Sequence, residues 1–443
     1  MTTSPINRLD LRDSALDRRT LRASVPRAQV DLSDAIAAVG PLLSAVREHG
    51  RSAVLEYTER FDRVALDAVR VRAAELDRAA AELDPAIRAA LEETIRRTRA
   101  VAAADARPPV TTGFDGGGTV TTRWLPVDRV GLYVPGGLAV YPSTVVMNVV
   151  PAQEAGVASL AIASPPQSTG LPHPTVMAAA AMLGVEEMWA MGGAQAVAAF
   201  AHGFDDGEVL EPVDLITGPG NAYVAAAKAS VRSVVGIDSV AGPTEIIVLA
   251  DDTADPRFVA ADLISQAEHD PQAASVLVTA SATLADAVEA ELAAQVPRTA
   301  HRERITEALA GQQSGIVLVR DLDAGIAVLN AYAGEHVQLM VAEPRAVAER
   351  VTNGGAVFLG DHSPVALGDY CAGSNHVLPT LGTAAHASAL GVQSFLKGSQ
   401  IIDYPAPALA AVADHIVALA ADEDLPAHGA AVSLRFAAGE GES

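Results

Sequence analysis

Hydrophobic and polar residues follow two patterns along the chain, and the change comes near Val130. Before it, residues 31–105 carry apolar positions at helical spacing, with Asp31 placed to cap one helix and Gly50 placed to end it. Asp84 precedes Pro85, and this pair predicts the start of a further helix. We therefore predict a helical N-terminal segment without a chemical motif of its own.

From Val130 onward, short apolar runs alternate with longer amphipathic ones, which is typical of a parallel sheet with helices on its faces. Strands are predicted in two series, 129–134, 159–163, 187–191 and 213–217, then 245–250, 275–279, 315–319, 336–341 and 356–359. A seam near residues 239–243 separates the series. The pattern predicts an α/β fold with two doubly wound, Rossmann-like domains.

Strand patterns stop after Leu390, and residues 405–421 form an Ala-rich helical pattern. We expect a C-terminal arm there that packs on another subunit. The predicted domains are listed from the N-terminus: an arm at 1–25, a Rossmann-like domain from 26–128 and 239–388, a second from 129–238, and the C-terminal dimerisation arm at 389–443.

Composition excludes several classes of function. Lys and Arg total 31 against 54 Asp and Glu, and the formal charge of -23 repels nucleic acid and anionic membranes. The first residues lack the apolar core of a signal peptide. Every stretch of about 18 residues, the length of a transmembrane helix, is interrupted by polar residues. A cytoplasmic location is therefore expected. Cys371 is the only cysteine, so a metal must be bound by nitrogen and oxygen.

Three glycine-rich turns follow predicted strands. Glycine lets a ligand approach the backbone closely, and a helix that begins at such a turn points free N–H groups at an anion such as a pyrophosphate. Each turn alone is also typical of a tight connection, but three in one sheet indicate a nucleotide crevice. The turns are Pro135-Gly136-Gly137, Gly192-Gly193-Ala194-Gln195 and Gly218-Pro219-Gly220-Asn221.

Residues 255–270 are predicted as a helix that places Asp262, Gln266 and His269 on one face. An imidazole and two oxygen donors at this spacing can converge on one ion, although a polar face in water is the simpler explanation of the spacing alone. Glu335 and His336 place a carboxylate next to an imidazole, and such a pair can remove a proton near neutral pH. Adjacent side chains on a strand face opposite ways, so the pair serves one site only if the preceding Gly334 permits a bend.

A glycine-punctuated stretch at residues 368–376 is short of apolar residues and rich in hydrogen-bond donors, which indicates a binding loop. His428 stands beside the acidic run 422–424, far from the other motifs in sequence. By itself it has the pattern of a surface histidine.

Taken together, these segments resemble the histidinol dehydrogenase family, in the family's order from about residue 129 to 428. The resemblance rests on Gly131-Leu132-Tyr133-Val134-Pro135-Gly136-Gly137, Gly192-Gly193-Ala194-Gln195-Ala196, Gly218-Pro219-Gly220-Asn221-Ala222, Ala241-Gly242-Pro243-Thr244-Glu245, Ser265-Gln266-Ala267-Glu268-His269, Glu335-His336, Gly368-Asp369-Tyr370 and Asn375-His376-Val377-Leu378-Pro379-Thr380. Two departures are Gly334, where many relatives have proline, and residues 362–365, which replace a tryptophan-containing version.

The resemblance implies a role for each matching residue. Zinc ligands would be Gln266, His269, Asp369 and, from the other subunit of a homodimer, His428; Asp262 is not among them. Tyr133, Gln195 and Asn221 match NAD contacts, and Glu335 and His336 match the catalytic pair. The implied substrate contacts comprise Thr244, Gln266, His269, His336, Asp369, Glu423 and His428.

The implied reaction is the NAD-dependent, four-electron oxidation of L-histidinol to L-histidine through the aldehyde, with zinc and NAD as cofactors. The residues alone leave other functions open. A related enzyme could oxidise another polar alcohol such as a sulfonated diol, and a nucleotide-binding scaffold without activity or a metallohydrolase could carry similar motifs. The carboxylate of Glu423 favours a substrate with an amine over one with a sulfonate.

Overall fold

The structure is a computed structural model that describes residues 6–29, 31–136 and 140–437. Gly137 of the first glycine turn lies outside the described residues, as do the outermost parts of both predicted arms. Within the described residues, no helix combines the length and hydrophobicity needed to cross a membrane.

Helices and strands alternate through most of the chain. The strands are β1 (Arg8–Asp10), β2 (Val110–Gly113), β3 (Thr119–Pro126), β4 (Arg129–Tyr133), β5 (Ser159–Ser164), β6 (Met188–Ala190), β7 (Leu215–Thr217), β8 (Gly236–Ile237), β9 (Glu245–Ala250), β10 (Ala274–Thr279), β11 (Gly315–Leu318), β12 (His336–Met340), β13 (Ala356–Leu359) and β14 (Leu396–Asp403). The helices are α1 (Arg18–Ser24), α2 (Ser33–Asp62), α3 (Ala73–Ala81), α4 (Pro85–Ala104), α5 (Pro142–Ala155), α6 (Pro174–Met182), α7 (Gly193–His202), α8 (Ala222–Val231), α9 (Pro256–Ala267), α10 (Ala282–Gln295), α11 (Arg302–Ala310), α12 (Leu322–Tyr332), α13 (Pro344–Ala348), α14 (Val365–Tyr370), α15 (Ala406–Asp422) and α16 (Pro426–Ser433).

The first predicted strand series forms a parallel five-stranded sheet in the order β6-β5-β4-β7-β8. One face packs an apolar cluster against α2, α7 and α8, and the other face packs a second cluster against α3, α4, α5 and α6. The helices of residues 33–104 therefore lie on this sheet, whereas the sequence-based division groups 26–128 with 239–388.

The second series forms a parallel six-stranded sheet in the order β1-β11-β10-β9-β12-β13. Apolar clusters cover both of its faces as well, so each sheet has helices on two sides. The predicted α/β fold with two doubly wound sheets is confirmed. Strand β1, at the edge of the sheet, was not predicted from the sequence pattern.

The chain divides into two compact units, residues 1–105 with 127–395 and residues 106–126 with 396–443. The second unit contains an antiparallel sheet in the order β14-β3-β2, together with α15 and α16. The expectation that strand structure ends after Leu390 is wrong, because β14 pairs with β3 along its whole length. The predicted helix at 405–421 is confirmed by α15.

The predicted helix boundaries have clear local causes. Oδ1 of Asp31 accepts a hydrogen bond from the Ser33 N–H at the start of α2, and Asp84 accepts two such bonds at the start of α4. Gly50 interrupts α2 with a φ of 53°, where the sequence predicts the first helix to end. Asp255 caps α9 as predicted, but that helix ends at Ala267 rather than near residue 270.

Candidate active site

Glu335 and His336 lie at the amino end of β12, and both bind the backbone of Glu245. Oε2 of Glu335 accepts a hydrogen bond from the Glu245 N–H at 2.8 Å. Nδ1 of His336 lies 3.2 Å from the Glu245 carbonyl oxygen. A carbonyl only accepts, so Nδ1 carries the proton and Nε2 keeps a free lone pair. The backbone of Glu245 therefore positions both catalytic candidates.

The structure explains how Glu335 and His336, although adjacent in sequence, both face the same site. Glu335 precedes the strand, and its Oε2 lies 3.6 Å from Nδ1 of His336. The chain turns at Ala333, whose φ is 53°, rather than at Gly334. Gly334 is required by packing instead, because a Cβ there would lie 2.9 Å from Ile247 Cγ2.

A relay of two hydrogen bonds joins Gln266 to Glu335 through Thr244. Nε2 of Gln266 donates to Thr244 Oγ1 at 2.6 Å, and Oγ1 donates to Glu335 Oε2 at 2.5 Å. When Glu335 is ionised, the single hydroxyl proton must go to the carboxylate, so the amide must present its NH₂ group to Thr244. Oε1 of Gln266 consequently points away from the relay.

The donor atoms left over fit a zinc ion. Oε1 of Gln266 is buried and has no hydrogen-bond partner among the described residues, a costly state that a cation would relieve. Nδ1 of His269 lies 3.2 Å and 3.3 Å from the carbonyl oxygens of Ser265 and Gln266, which leaves Nε2 free to bind a metal. Asp369, on α14, has Oδ1 3.9 Å from Nε2 of His336.

This donor set depends on the amide of Gln266. Within the described residues, His, Cys, Asp and Glu side chains form no group of three or more placed to hold a metal. Gln266 is the last-turn residue of α9, and His269 follows the helix end. Asp262 lies one helical turn earlier and is buried, and burial raises its pKa to about 7.

Burial shifts the proton equilibria of both catalytic candidates. It raises the pKa of Glu335 to about 7, although the hydrogen bonds from Thr244 and the Glu245 N–H and the nearby His269 act in the opposite direction. Burial also lowers the pKa of His336, against the attraction of Asp369. His336 is therefore neutral at pH 7 and can accept a proton at Nε2.

Arg27 fixes the side chain of Glu245. Its Nε and Nη2 donate to the carboxylate at 3.0 Å and 3.2 Å, and its guanidinium lies 3.8 Å from the ring centre of Tyr332. Glu245 is only 1% exposed, and its burial raises its pKa to about 7 while Arg27 lowers it. Neither Arg27 nor the Glu245 side chain was predicted to have a role, although a carboxylate at the first position of a wholly buried strand was a signal in the sequence.

The glycine turns meet at the carboxyl edge of the five-stranded sheet. A Cβ on Gly192 would lie 2.7 Å from Pro165, and one on Gly218 would lie 2.0 Å from the carbonyl oxygen of Tyr133, at a φ of 114°. The strand order reverses between β4 and β7, and open parallel sheets bind ligands at such a switch point. The turns therefore form a candidate dinucleotide crevice.

A buried ion pair holds the Gly218 turn in place. Nζ of Lys228 donates to the Gly218 carbonyl oxygen at 3.0 Å and binds Asp238. Oδ2 of Asp238 in turn accepts from the Gly218 N–H at 2.8 Å. The N–H and the carbonyl oxygen of Gly218 are thus both hydrogen-bonded by this ion pair. Neither Lys228 nor Asp238 was assigned a role from the sequence.

The three residues matched to NAD contacts, Tyr133, Gln195 and Asn221, all lie next to these turns. The first two are buried and the third is exposed. The buried Tyr133 accepts a hydrogen bond at its hydroxyl from the Gly193 N–H at 3.1 Å. Gln195 is 1% exposed and lies in the first turn of α7. Asn221 is exposed and caps α8, with Oδ1 accepting from the N–H of Tyr223.

A chain of hydrogen bonds connects the Asp369 loop to the dinucleotide crevice. Nδ1 of His376 lies 3.0 Å from the Asp369 carbonyl oxygen, and Nε2 lies 3.2 Å from Thr144 Oγ1. The Thr144 carbonyl accepts from Asn148, whose Oδ1 accepts from Thr217 at the end of β7. His376 belongs to a motif recognised in the sequence, but a local pattern cannot pair it with a residue 232 positions away.

Glu423 and His428 belong to the second compact unit. Glu423 follows α15 as its C-cap residue, and His428 lies in the first turn of α16. Both are exposed. The structure contains one chain, so the predicted contribution of these residues to a second copy's site stays a prediction.

A neutral buried imidazole beside a carboxylate and metal-type donors, on a fold with a dinucleotide crevice, defines the class of α/β oxidoreductases. Comparison with known proteins agrees: the family model described as histidinol dehydrogenase matches residues 25–436. Histidinol dehydrogenases of Thermobifida fusca and Nocardia farcinica are each 61% identical to this chain, over 98% and 97% of it and 98% of each relative.

A solved structure extends the agreement to the fold. The crystal structure of histidinol dehydrogenase from Elizabethkingia anophelis superposes with a TM-score of 0.91 at 29% identity, covering 98% of this chain and 99% of that one. The chain belongs to the histidinol dehydrogenase family.

Proposed function

We propose that this chain catalyses the NAD-dependent oxidation of L-histidinol to L-histidine through the aldehyde, the last step of histidine biosynthesis. The observation that carries the proposal is the proximity of a proton acceptor, Nε2 of His336, to Asp369, which is one of the three donors that would hold zinc. Membership of the family, with relatives of that name at 61% identity, supports the substrate. It also disfavours a sulfonated diol as the substrate.

Zinc would be held by Oε1 of Gln266, Nε2 of His269 and the carboxylate of Asp369, with His428 of a second copy as the fourth ligand. Bound zinc would orient histidinol through its nitrogen atoms, and NAD would accept a hydride in each of the two oxidations. The relay through Thr244 would orient the Gln266 amide so that its oxygen faces the cation.

His336 would accept the carbinol proton at Nε2 while the hydride leaves the adjacent carbon. Its ring is held for this step by the Nδ1 hydrogen bond to Glu245. Glu335 would then take a proton from the water that adds to the aldehyde, because an ionised carboxylate near its pKa is a suitable base. After His336 has released the first proton to solvent, it would accept a second when the resulting diol is oxidised.

Tyr133, Gln195 and Asn221 are the proposed NAD-contacting residues. Asn221 would reach the dinucleotide directly because it is exposed, whereas the buried Tyr133 would act through the Gly193 turn that its hydroxyl binds. The link from His376 through Thr144 would keep the reacting carbon and the dinucleotide at a constant distance.

The active enzyme would be a homodimer with shared sites. His428 of the second copy would supply the fourth protein ligand of the zinc, and the proposed substrate contact Glu423 lies five residues before it in the sequence. The second unit also exposes large apolar side chains, as an interface would before assembly. They include Ile401, Ile402, Leu419, Leu425, Leu434 and Phe436.

The proposal is tested with His336→Ala. Loss of the proton acceptor is expected to lower the turnover number with L-histidinol by roughly 10²- to 10⁴-fold. Zinc content should stay at the wild-type level, because His336 is not a proposed ligand. His301→Ala, at an exposed position, is the control and should match the wild type. A His336→Ala protein that retains full turnover, or that loses its zinc, contradicts the assignment.

A further inference from the structure

A cavity of about 520 Å³ lies apart from the catalytic donors, next to the N-terminal helix α1. The lining includes Arg18 and Arg22 of α1, which are both exposed, together with Arg27, Gly382 and His386. All of them belong to the first compact unit. We refer to this space as the arginine cavity.

The arginine cavity carries uncompensated positive charge. Arg27 is paired with Glu245, but within the described residues no carboxylate lies at ion-pair distance from Arg18 or Arg22. Burial lowers the pKa of Arg22, and repulsion from Arg18 and Arg27 lowers it further. Such an arrangement is unexpected in a chain with a net charge of -23, in which acidic partners are abundant.

Local packing holds two of the three arginines, Arg22 and Arg27, at the cavity. Nε of Arg22 donates to the Ala331 carbonyl oxygen at 3.1 Å, which fixes the side chain along α12. Arg27 packs on the backbone of Gly382, where a Cβ would lie 2.5 Å from Nη1. Any larger residue at 382 would push the guanidinium away, so the absence of a side chain there preserves the geometry.

We propose that the arginine cavity binds a phosphate group, either as the free ion or as the monoester of a small metabolite. Guanidinium groups bind phosphate through paired, charge-assisted hydrogen bonds, and a doubly charged anion would relieve the mutual repulsion of the three arginines. The volume exceeds the needs of a single phosphate ion and leaves room for an attached organic group. Through Arg27 the bound anion would touch the side chain that anchors Glu245 beneath the catalytic pair.

Calorimetric titration of the zinc-loaded full-length protein tests this proposal. Orthophosphate and glycerol 3-phosphate are titrated separately at constant ionic strength, with saturating NAD present so that the dinucleotide crevice is already filled. Arg18→Gln/Arg22→Gln is expected to bind the tighter probe about tenfold more weakly than the wild type, since two charge-assisted bonds are lost. The matched control is Arg19→Gln, an exposed position of the same helix outside the cavity lining, and it should stay within about twofold.

The comparison of the two probes identifies the source of the phosphate. Tighter binding of orthophosphate indicates the free ion, and tighter binding of glycerol 3-phosphate indicates a phosphorylated metabolite; either result supports the site if the variants differ as expected. Equal affinity of the double variant and Arg19→Gln overturns the proposal, as does the absence of saturable binding to the wild type. Should the double variant fail to fold, Arg18→Gln alone is compared with Arg19→Gln.

Discussion

The hydroxyl of Thr244 donates to Oε2 of Glu335 at 2.5 Å and at the same time accepts from the amide of Gln266. Thr244→Val keeps the shape of the side chain and removes both hydrogen bonds. We expect kcat/KM for L-histidinol to fall about 10- to 100-fold, the equivalent of one or two hydrogen bonds to charged or metal-bound groups. Steady-state kinetics measure the effect.

Thr244→Ser is the matched control, because it retains the hydroxyl that forms the relay. It should keep kcat/KM within a few-fold of the wild type. If Thr244→Ser loses as much activity as Thr244→Val, the methyl group rather than the hydrogen bonds determines the role of Thr244.

Asp262 shares a helix face with Gln266 but should not bind the metal. Its pKa is raised from 3.8 to about 7, because it is buried, so the folded state favours the protonated form. The stabilising contribution of that proton is complete below about pH 4 and is lost as pH rises through 7. Asp262→Asn should therefore be more stable than the wild type at pH 8, on the order of 2–4 kcal/mol, with a smaller difference at pH 5.

Urea unfolding at several pH values measures this difference. Asp252→Asn, at an exposed position near the start of the same helix, should show no comparable change. Asp262→Asn should also keep its zinc. Parallel stability curves for Asp262→Asn and the wild type, or a loss of zinc, would rule out this interpretation of the buried carboxyl group.

Shared active sites predict that two inactive variants can complement each other. His269→Ala and His428→Ala should each lose most zinc and activity, because each lacks one proposed ligand. After the two are unfolded together and refolded as an equal mixture, half of the dimers are mixed, and each mixed dimer has one intact site. About a quarter of wild-type activity should return.

Size-exclusion chromatography of the refolded mixture confirms that dimers have formed. An inactive mixture of well-formed dimers would show that His269 and His428 serve the same chain's site or none.

The sequence predicted the parallel sheets well, because their strands are runs of buried apolar residues between glycine or proline turns. Runs such as 245–250 are buried along their whole length, so the pattern is strong and local. Strand β14 was missed because it contains Lys397, Ser399 and Gln400 and is mostly exposed. It is a strand only because it pairs with β3, a contact that a local pattern does not contain.

Residue identities at the site followed from the resemblance, but their geometry did not. The sequence places His269 on the helix of Gln266, whereas the helix ends two residues earlier and the imidazole is oriented by carbonyl groups freed at that end. The contact of His376 with Thr144 and the anchoring of Glu245 by Arg27 join residues more than 200 positions apart. Such contacts depend on the packing of whole elements.

We expect this chain to carry out both oxidations of one substrate at one site. Purified, zinc-loaded protein is incubated with a limiting amount of L-histidinol and excess NAD, and NADH is counted per molecule of L-histidinol consumed. Two NADH and one L-histidine are expected. One NADH with accumulation of the aldehyde, or no NADH at all, would contradict the account.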